Sequence, residues 1–187
     1  MRVEFLLEEA SMKYFLQGLL PRILPEHLKL NYNCFLPPHD GKSDLFRSIP
    51  NKIRVFSNAT EECRVVILHD QDSNDCKILK AKLRQLVYEN GNCTTLIRIP
   101  CRELENWYLG DLDALEKIYP RFMAAKFEGK AKFRIPDMVS GTDELKKKIP
   151  SFTKSFAAQQ ISPIIDIENN RSESFNQFVN GLRAFLA

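Results

Sequence analysis

The chain has no long apolar run, and nothing in it approaches the roughly 20 residues needed to cross a bilayer, which excludes a membrane-spanning role. It also has no C-x-x-C pair. Its five cysteines, Cys34, Cys63, Cys76, Cys93 and Cys101, are odd in number, and none has a histidine at zinc-finger spacing. They read as reduced, mostly buried thiols, which excludes a disulfide framework and a structural zinc site. With three histidines, no Ser/His/Asp or Cys/His arrangement is readable. Charge of one sign is scarce too: the net charge of +3 is too slight to imply nucleic-acid binding by itself. The sequence contains no internal repeat and no low-complexity tract. The opening "MRVEFLLEEASMKYFLQ" carries acids too early for a signal peptide and lacks a small-residue cleavage site, so the expected compartment is the cytoplasm.

What is present is an ordinary globular composition, 44% hydrophobic and 27% charged over 187 residues, enough to bury a real core in one domain. "RVEFLL" reads as a buried strand, followed by a helix over "SMKYFLQGLLPRIL" with Ser11 as its N-cap. "LKLNYNCFL" alternates and predicts a second strand, and "SDLFRSIPNKIRVFS" a helix broken at Pro50. "CRVVILHD" is a continuous apolar run, the mark of a strand covered on both faces. Asp75 can cap the helix "CKILKAKLRQLVYEN". "CTTLIRIP" predicts a fourth strand and "DLDALEKIY" a short helix. Strands alternating with helices predict an α/β fold, a four-stranded mainly parallel sheet flanked by helices over about residues 1–115. Beyond it, residues 116–187 read as a mainly helical C-terminal extension of the same single domain, with helices near "TDELKKKI" and "SESFNQFVNGLRAFL".

The acids are not scattered. Glu8 and Glu9 follow the first strand, Asp70 and Asp72 the third, and Glu103 and Glu105 the fourth. Ligands of an open parallel sheet bind beyond the carboxyl ends of its strands. If the first and third strands are neighbours where the strand order reverses, Glu8 meets Asp70 and Asp72 in one crevice. Two apart in an extended segment, Asp70 and Asp72 should point to the same side. Such an all-oxygen, partly filled shell suits Mg²⁺ or Mn²⁺. Solvated strand ends are the bland alternative, and between Glu105 and Glu103 the pattern does not choose.

These residues resemble the Toprim pattern, a Glu after strand one and D-x-D after strand three. The fuller set, "FLLEEAS", "GKSDL", "DQDSNDCKILKAKL", "RELENWYLGDLDAL", "YPRF", "PD", "TKSFAA" and "NRSESFNQF", resembles a Toprim-related bacterial family of unknown function. The resemblance implies a fold like that of the overcoming-lysogenization-defect (OLD) nucleases. It also implies a metal-dependent nuclease, often paired with an ABC-type ATPase in abortive-infection or other anti-phage systems. Carried over, Glu8 is the Toprim glutamate and Asp70 and Asp72 the D-x-D pair. Lys154, in "FTKSFAAQQ", is the candidate for stabilising charge on a scissile phosphate. Glu9 stands where Toprim sequences have glycine, and is a possible second ligand.

Other features have two readings. "GKSDL" is not a P-loop, because Leu36 stands where that motif needs glycine, but Lys42 is in position for a nucleic-acid phosphate or for solvent. Lys77, Lys80 and Arg84, at i, i+3 and i+7, suit a phosphate track or the wet face of a helix. Trp107 and Tyr108 suit core packing better than base stacking, and His69, on strand alternation, should face away from Asp70 as a packed side chain. The lysine run 146–148 reads as solvated. The resulting expectation is an Mg²⁺-dependent nuclease acting on DNA or RNA. Two alternatives compete: a non-catalytic subunit docking on an ATPase, and a receiver- or phosphatase-like domain that would not need Glu8.

Overall fold

A computed structural model describes all 187 residues. Four strands, β1 (Arg2–Leu7), β2 (Cys34–Phe35), β3 (Cys63–Leu68) and β4 (Thr94–Arg98), form one sheet in the order β2-β1-β3-β4. Every pairing is parallel, and the order reverses between β1 and β3. The register runs from Arg2 opposite Cys63 to Leu7 opposite Leu68. The residues that leave the two central strands, Glu8 and His69, therefore emerge side by side.

Side chains alternate across a strand, and here each face receives its own apolar layer. Val3, Phe5, Leu7, Val66 and Leu68 share one cluster. Leu6, Val65 and Ile67 belong to another, with Leu45, Ile49 and Ile53 of α2 (Lys42–Ser57) and Leu79, Leu83 and Val87 of α3 (Cys76–Tyr88). The first layer is much larger. It takes in α1 (Ala10–Leu19), α4 (Glu105–Leu109) and α5 (Leu112–Ile118). The short α6 (Ala125–Glu128) and α7 (Gly141–Lys148) follow, and α8 (Lys154–Ile161) and α9 (Glu173–Leu186) complete the layer. Segment 116–187 thus supplies much of the cover of one sheet face, through Ile161, Phe175, Phe178, Val179 and Leu182.

Two close approaches set how α8 lies on α1. A Cβ at Gly18 would sit 2.1 Å from Ser162 Oγ, so only glycine lets the two helices meet there. Lys154 meets Glu9 at the other end. The helices therefore run parallel, and their equal rise of about 1.5 Å per residue carries Lys154 to the level of the sheet's carboxyl edge.

Several local expectations are corrected. α2 runs unbroken through Pro50, because Ile49 and Ile53 are fully buried on either side and packing outweighs one missing N–H. The second strand shrinks to two residues, since Lys29–Asn33 fold back on themselves, Lys29 N donating to Asn33 Oδ1 at 2.8 Å. Glu9, not Ser11, is the N-cap residue of α1, and Ser11 is buried and donates to the Glu9 carboxylate. Lys148 is not solvated: it lies 3.3 Å from Glu144 Oε2, with its ammonium over the rings of Phe127 and Phe133. Asp75 does cap α3, accepting from Lys77 N and Ile78 N.

The "PD" and "NRSES" segments meet as a clamp. Asp137 accepts from Ser172 Oγ at 2.6 Å, Ser174 N at 2.8 Å and Ser174 Oγ at 3.2 Å, while Trp107 Nε1 donates to Ser174 Oγ at 2.9 Å. Trp107, with no exposed surface, is a core residue. Asp137→Ala would leave the α9 start without its carboxylate acceptor. It is expected to cost about 2–3 kcal/mol, a melting temperature lower by about 5–10 °C in a thermal unfolding scan; an unchanged midpoint would reduce the clamp to a surface contact.

Candidate functional site

The site forms where β1 and β3 end. Glu8 N donates to Leu68 O at 3.2 Å, continuing the ladder, and Asp70 N donates to Glu8 Oε2 at 2.8 Å. The third strand end is stitched to the fourth: Gln71 N bonds Pro100 O at 3.1 Å and Asp72 N bonds Arg102 O at 2.8 Å. Glu8 and Asp70 are thereby held by backbone rather than by loop chance.

Asp70 is 4% exposed and Glu105 has no exposed surface. Lys154 Nζ lies 3.2 Å from Glu9 Oε1 and 3.6 Å from Glu105 Oε2. Asp70 Oδ1 and both carboxylate oxygens of Glu105 are buried without a hydrogen-bond partner. Buried polar atoms are nearly always hydrogen-bonded, so three carboxylate oxygens without a hydrogen bond in one place, with only Lys154 facing one of them, mark this cluster out from the rest of the fold. Tyr108, equally buried, also keeps an unpartnered hydroxyl, and the charges of Glu105, Asp70 and Glu9 act on it.

The electrostatics follow from burial. Desolvation lifts the Asp70 carboxyl well above its ordinary range, with the charges of Glu105, Glu8 and Glu9 adding to it and Lys154 opposing. Glu105 is pushed up to about 7, again mainly by burial, against the pull of Lys154. Glu8 is raised by burial, with His69 and the Asp70 N–H working the other way. For Lys154 burial alone would lower the pKa, but Glu105, Glu9 and Asp70 together outweigh it and raise it.

The other residues singled out in the sequence fall as follows. Asp72 does not share the side of Asp70: the chain turns there at φ +52°, and Asp72 stands exposed, 3.4 Å from Lys42 Nζ. Its charge adds to the burial that raises Glu8. Glu103 is turned away from the cluster and accepts from Thr142 N at 2.9 Å, at the start of α7. Lys80 lies beside Arg84 and Arg98, and burial plus those two charges lower its pKa. Lys77 and Arg84 are exposed, and neither they nor Lys80 pair with a carboxylate. As the side chains stand, no three His, Cys, Asp or Glu converge closely enough to hold a metal ion; the acids are spread about Lys154. The donor set is nonetheless chemically that of a hard divalent cation: anionic oxygens, three of them unpartnered.

His69 was missed. It is buried, its Nδ1 lies 3.1 Å from Glu8 Oε2 and 2.5 Å from Asp70 O, and Phe46 packs edge-on against it. Both neighbours of Nδ1 are acceptors, so Nδ1 carries the proton and Nε2 is left without a partner. Alternation along one strand turned His69 away from Asp70, but the register across to β1 sets it opposite Glu8, a signal that one strand read alone does not contain. On its far side His69 lines a cleft of about 330 Å³ with Lys42, Phe46 and Lys82.

The raised Glu105 gives a pH signature. A carboxyl whose folded pKa exceeds its unfolded value near 4.3 contributes fully below that value, and the contribution is lost as pH rises through about 7. Glu105→Gln is therefore expected to raise the melting temperature at pH 8 by several degrees, on the order of 1–3 kcal/mol, with the gain fading toward pH 4–5. A gain independent of pH would sink this assignment of the buried charge.

Among curated proteins no match is found. Among solved structures, the fold is similar to the C-terminal region of the Burkholderia pseudomallei OLD protein, with a TM-score of 0.58 and 13% identity over 100% of this chain and 98% of that one. At that identity the likeness is one of fold: an all-parallel four-stranded sheet flanked by helices, with a helical C-terminal end. A family model covers residues 7–183, so the chain belongs to the family described as domain of unknown function (DUF4276).

Proposed function

We propose that this protein is a Toprim-like, Mg²⁺- or Mn²⁺-dependent nuclease related to the OLD type, the effector of an anti-phage system that works with an ABC-type ATPase. One observation carries the reading. Asp70 and Glu105 are buried at the carboxyl edge of a parallel sheet with three oxygens unpartnered, beside a lysine that only tertiary packing brings there. A fold does not specify a function, but a buried, unsatisfied acid cluster at that edge is hard to explain as structural, because it costs stability.

In this reading Asp70, Glu105 and Glu8 would hold the metal, with Glu9 and Asp72 at its margin. A bound divalent ion would polarise a phosphoryl oxygen and lower the pKa of an attacking water. The chain's own residues do the rest. His69 Nδ1–H and Asp70 N–H fix the Glu8 carboxylate in orientation. Lys154 tempers the repulsion among Glu9, Glu105 and Asp70, and its ammonium is available to a non-bridging phosphate oxygen. Lys42, Lys77, Lys80 and Arg84 supply the positive path for the nucleic-acid backbone.

A second reading, a non-catalytic subunit that docks on the ATPase, is favoured by the spread of the acids about Lys154. Titration of Mg²⁺ and Mn²⁺ by calorimetry, with DNA- and RNA-cleavage assays on the same samples, separates the two. Wild type is expected to bind saturably and cleave, and Asp70→Asn to lose binding and more than about 100-fold in rate, since even outer-shell residues cost 10–100-fold, while remaining folded. Lys154→Met should keep metal binding and lose rate. Metal binding without cleavage, alone or with the ATPase, would leave the docking subunit as the reading.

A further inference from the structure

The end of α5 and the end of α7 bound a pocket of about 440 Å³ that the acid cluster does not use. Its size lies in the usual range for small-ligand sites, ~300–1,000 Å³. Ile118, Pro120 and Phe122 form one apolar wall, and Ile149 and Pro150 the other. Arg121 at its rim has no carboxylate within ion-pair distance. On the other side Lys148 is held by Glu144 at 3.3 Å and lies over the rings of Phe127 and Phe133, so Arg121 is the unpaired cation of the lining. Beside the pocket the Tyr119 ring meets Phe156 at 6.1 Å, and Phe156 is 47% exposed, an aromatic face offered to solvent.

The pocket is chained to the acid site. Ser151 in its wall precedes Lys154 by three residues, so the two lie no more than about 11 Å apart, and Phe156 follows Lys154 by two. Apolar walls, an exposed ring and an unneutralised arginine call for a ligand with a flat apolar body and an anionic group. A nucleotide in a single strand has both, and its base is free to leave the stack, whereas a duplex base is not. We propose that this pocket receives one unstacked nucleotide of a single-stranded nucleic acid whose neighbouring phosphate lies at Lys154. The inference rests on the nuclease reading above and names its substrate as a single strand.

The test is fluorescence anisotropy with labelled 12-mer oligonucleotides of DNA and RNA, single- and double-stranded, in EDTA so that binding is read without cleavage. Asp70→Asn serves as a second parent protein. Phe156 and Arg121 are exposed, so Phe156→Ala and Arg121→Gln are expected to fold normally. Phe156→Ala should weaken single-strand binding at least about fivefold, and Arg121→Gln should reduce the salt dependence by about one ion. A 5-iodouridine in the RNA should crosslink to Tyr119 or Phe156. If both variants bind single strands like wild type and the crosslink maps elsewhere, the pocket proposal falls and the nuclease reading stands. If wild type binds no single strand, the pocket proposal falls, and the metal-dependent nuclease reading is decided by the cleavage assays above. A preference for duplex, or a loss of ATPase association in Phe156→Ala with oligonucleotide binding intact, would also overturn the pocket proposal.

Discussion

Six residue pairs join β1 to β3, and most of what is distinctive in this protein depends on that ladder. It is the pairing at which the strand order reverses, so no crossover helix closes over the carboxyl ends of the two strands and a crevice is left between them. Its register brings Glu8 level with His69 and lets Asp70 N donate to the Glu8 carboxylate. The same pairing divides the core, sending Phe5 and Leu7 to one layer and Leu6 to the other. A slip of one residue would exchange the faces and remove the acids from one another at a stroke.

On this frame the larger apolar layer positions the acid cluster. α1 and α8 lie parallel, in contact at Gly18, and their common rise brings the Lys154 ammonium to Glu9 and Glu105. An unpaired buried carboxylate is costly, and a single lysine cannot satisfy Glu105, Glu9 and Asp70 together. The remainder appears as raised carboxyl pKa values and orphaned oxygens. Around the cluster the fold is tied by hydrogen bonds between distant segments. The Asp137 clamp ties the "PD" turn to the start of α9, and Asn106 Nδ2 donates to Pro136 O and Val139 O. Much of the family-like sequence pattern thus serves the scaffold, which separates it from the few residues that face the crevice.

The sheet was legible chiefly through its two central strands, of which β3 is a continuous apolar run, the pattern that burial on both faces produces whatever the neighbours. The second strand and the Pro50 break were misread for the opposite reason. There local propensity competes with tertiary packing, and Ile49 and Ile53 pull the helix through the proline. Among the acids, Glu8 and Asp70 were recognisable from position alone, whereas choosing Glu105 over Glu103 needed the direction of α4. Only one of the two faces the cluster; the other accepts from Thr142 N.

By itself the sequence determined the α/β class, the parallel sheet and the gathering of acids at strand ends, because each follows from patterns within a few residues. Tertiary structure alone decided that Lys154 stands between Glu9 and Glu105 and that His69 backs Glu8. It also decided that Asp72 turns out to meet Lys42. These are relations between segments separated by up to 145 residues. Side-chain direction at a strand end depends on the register and the turn that follow it, and neither is encoded in the periodicity of one strand.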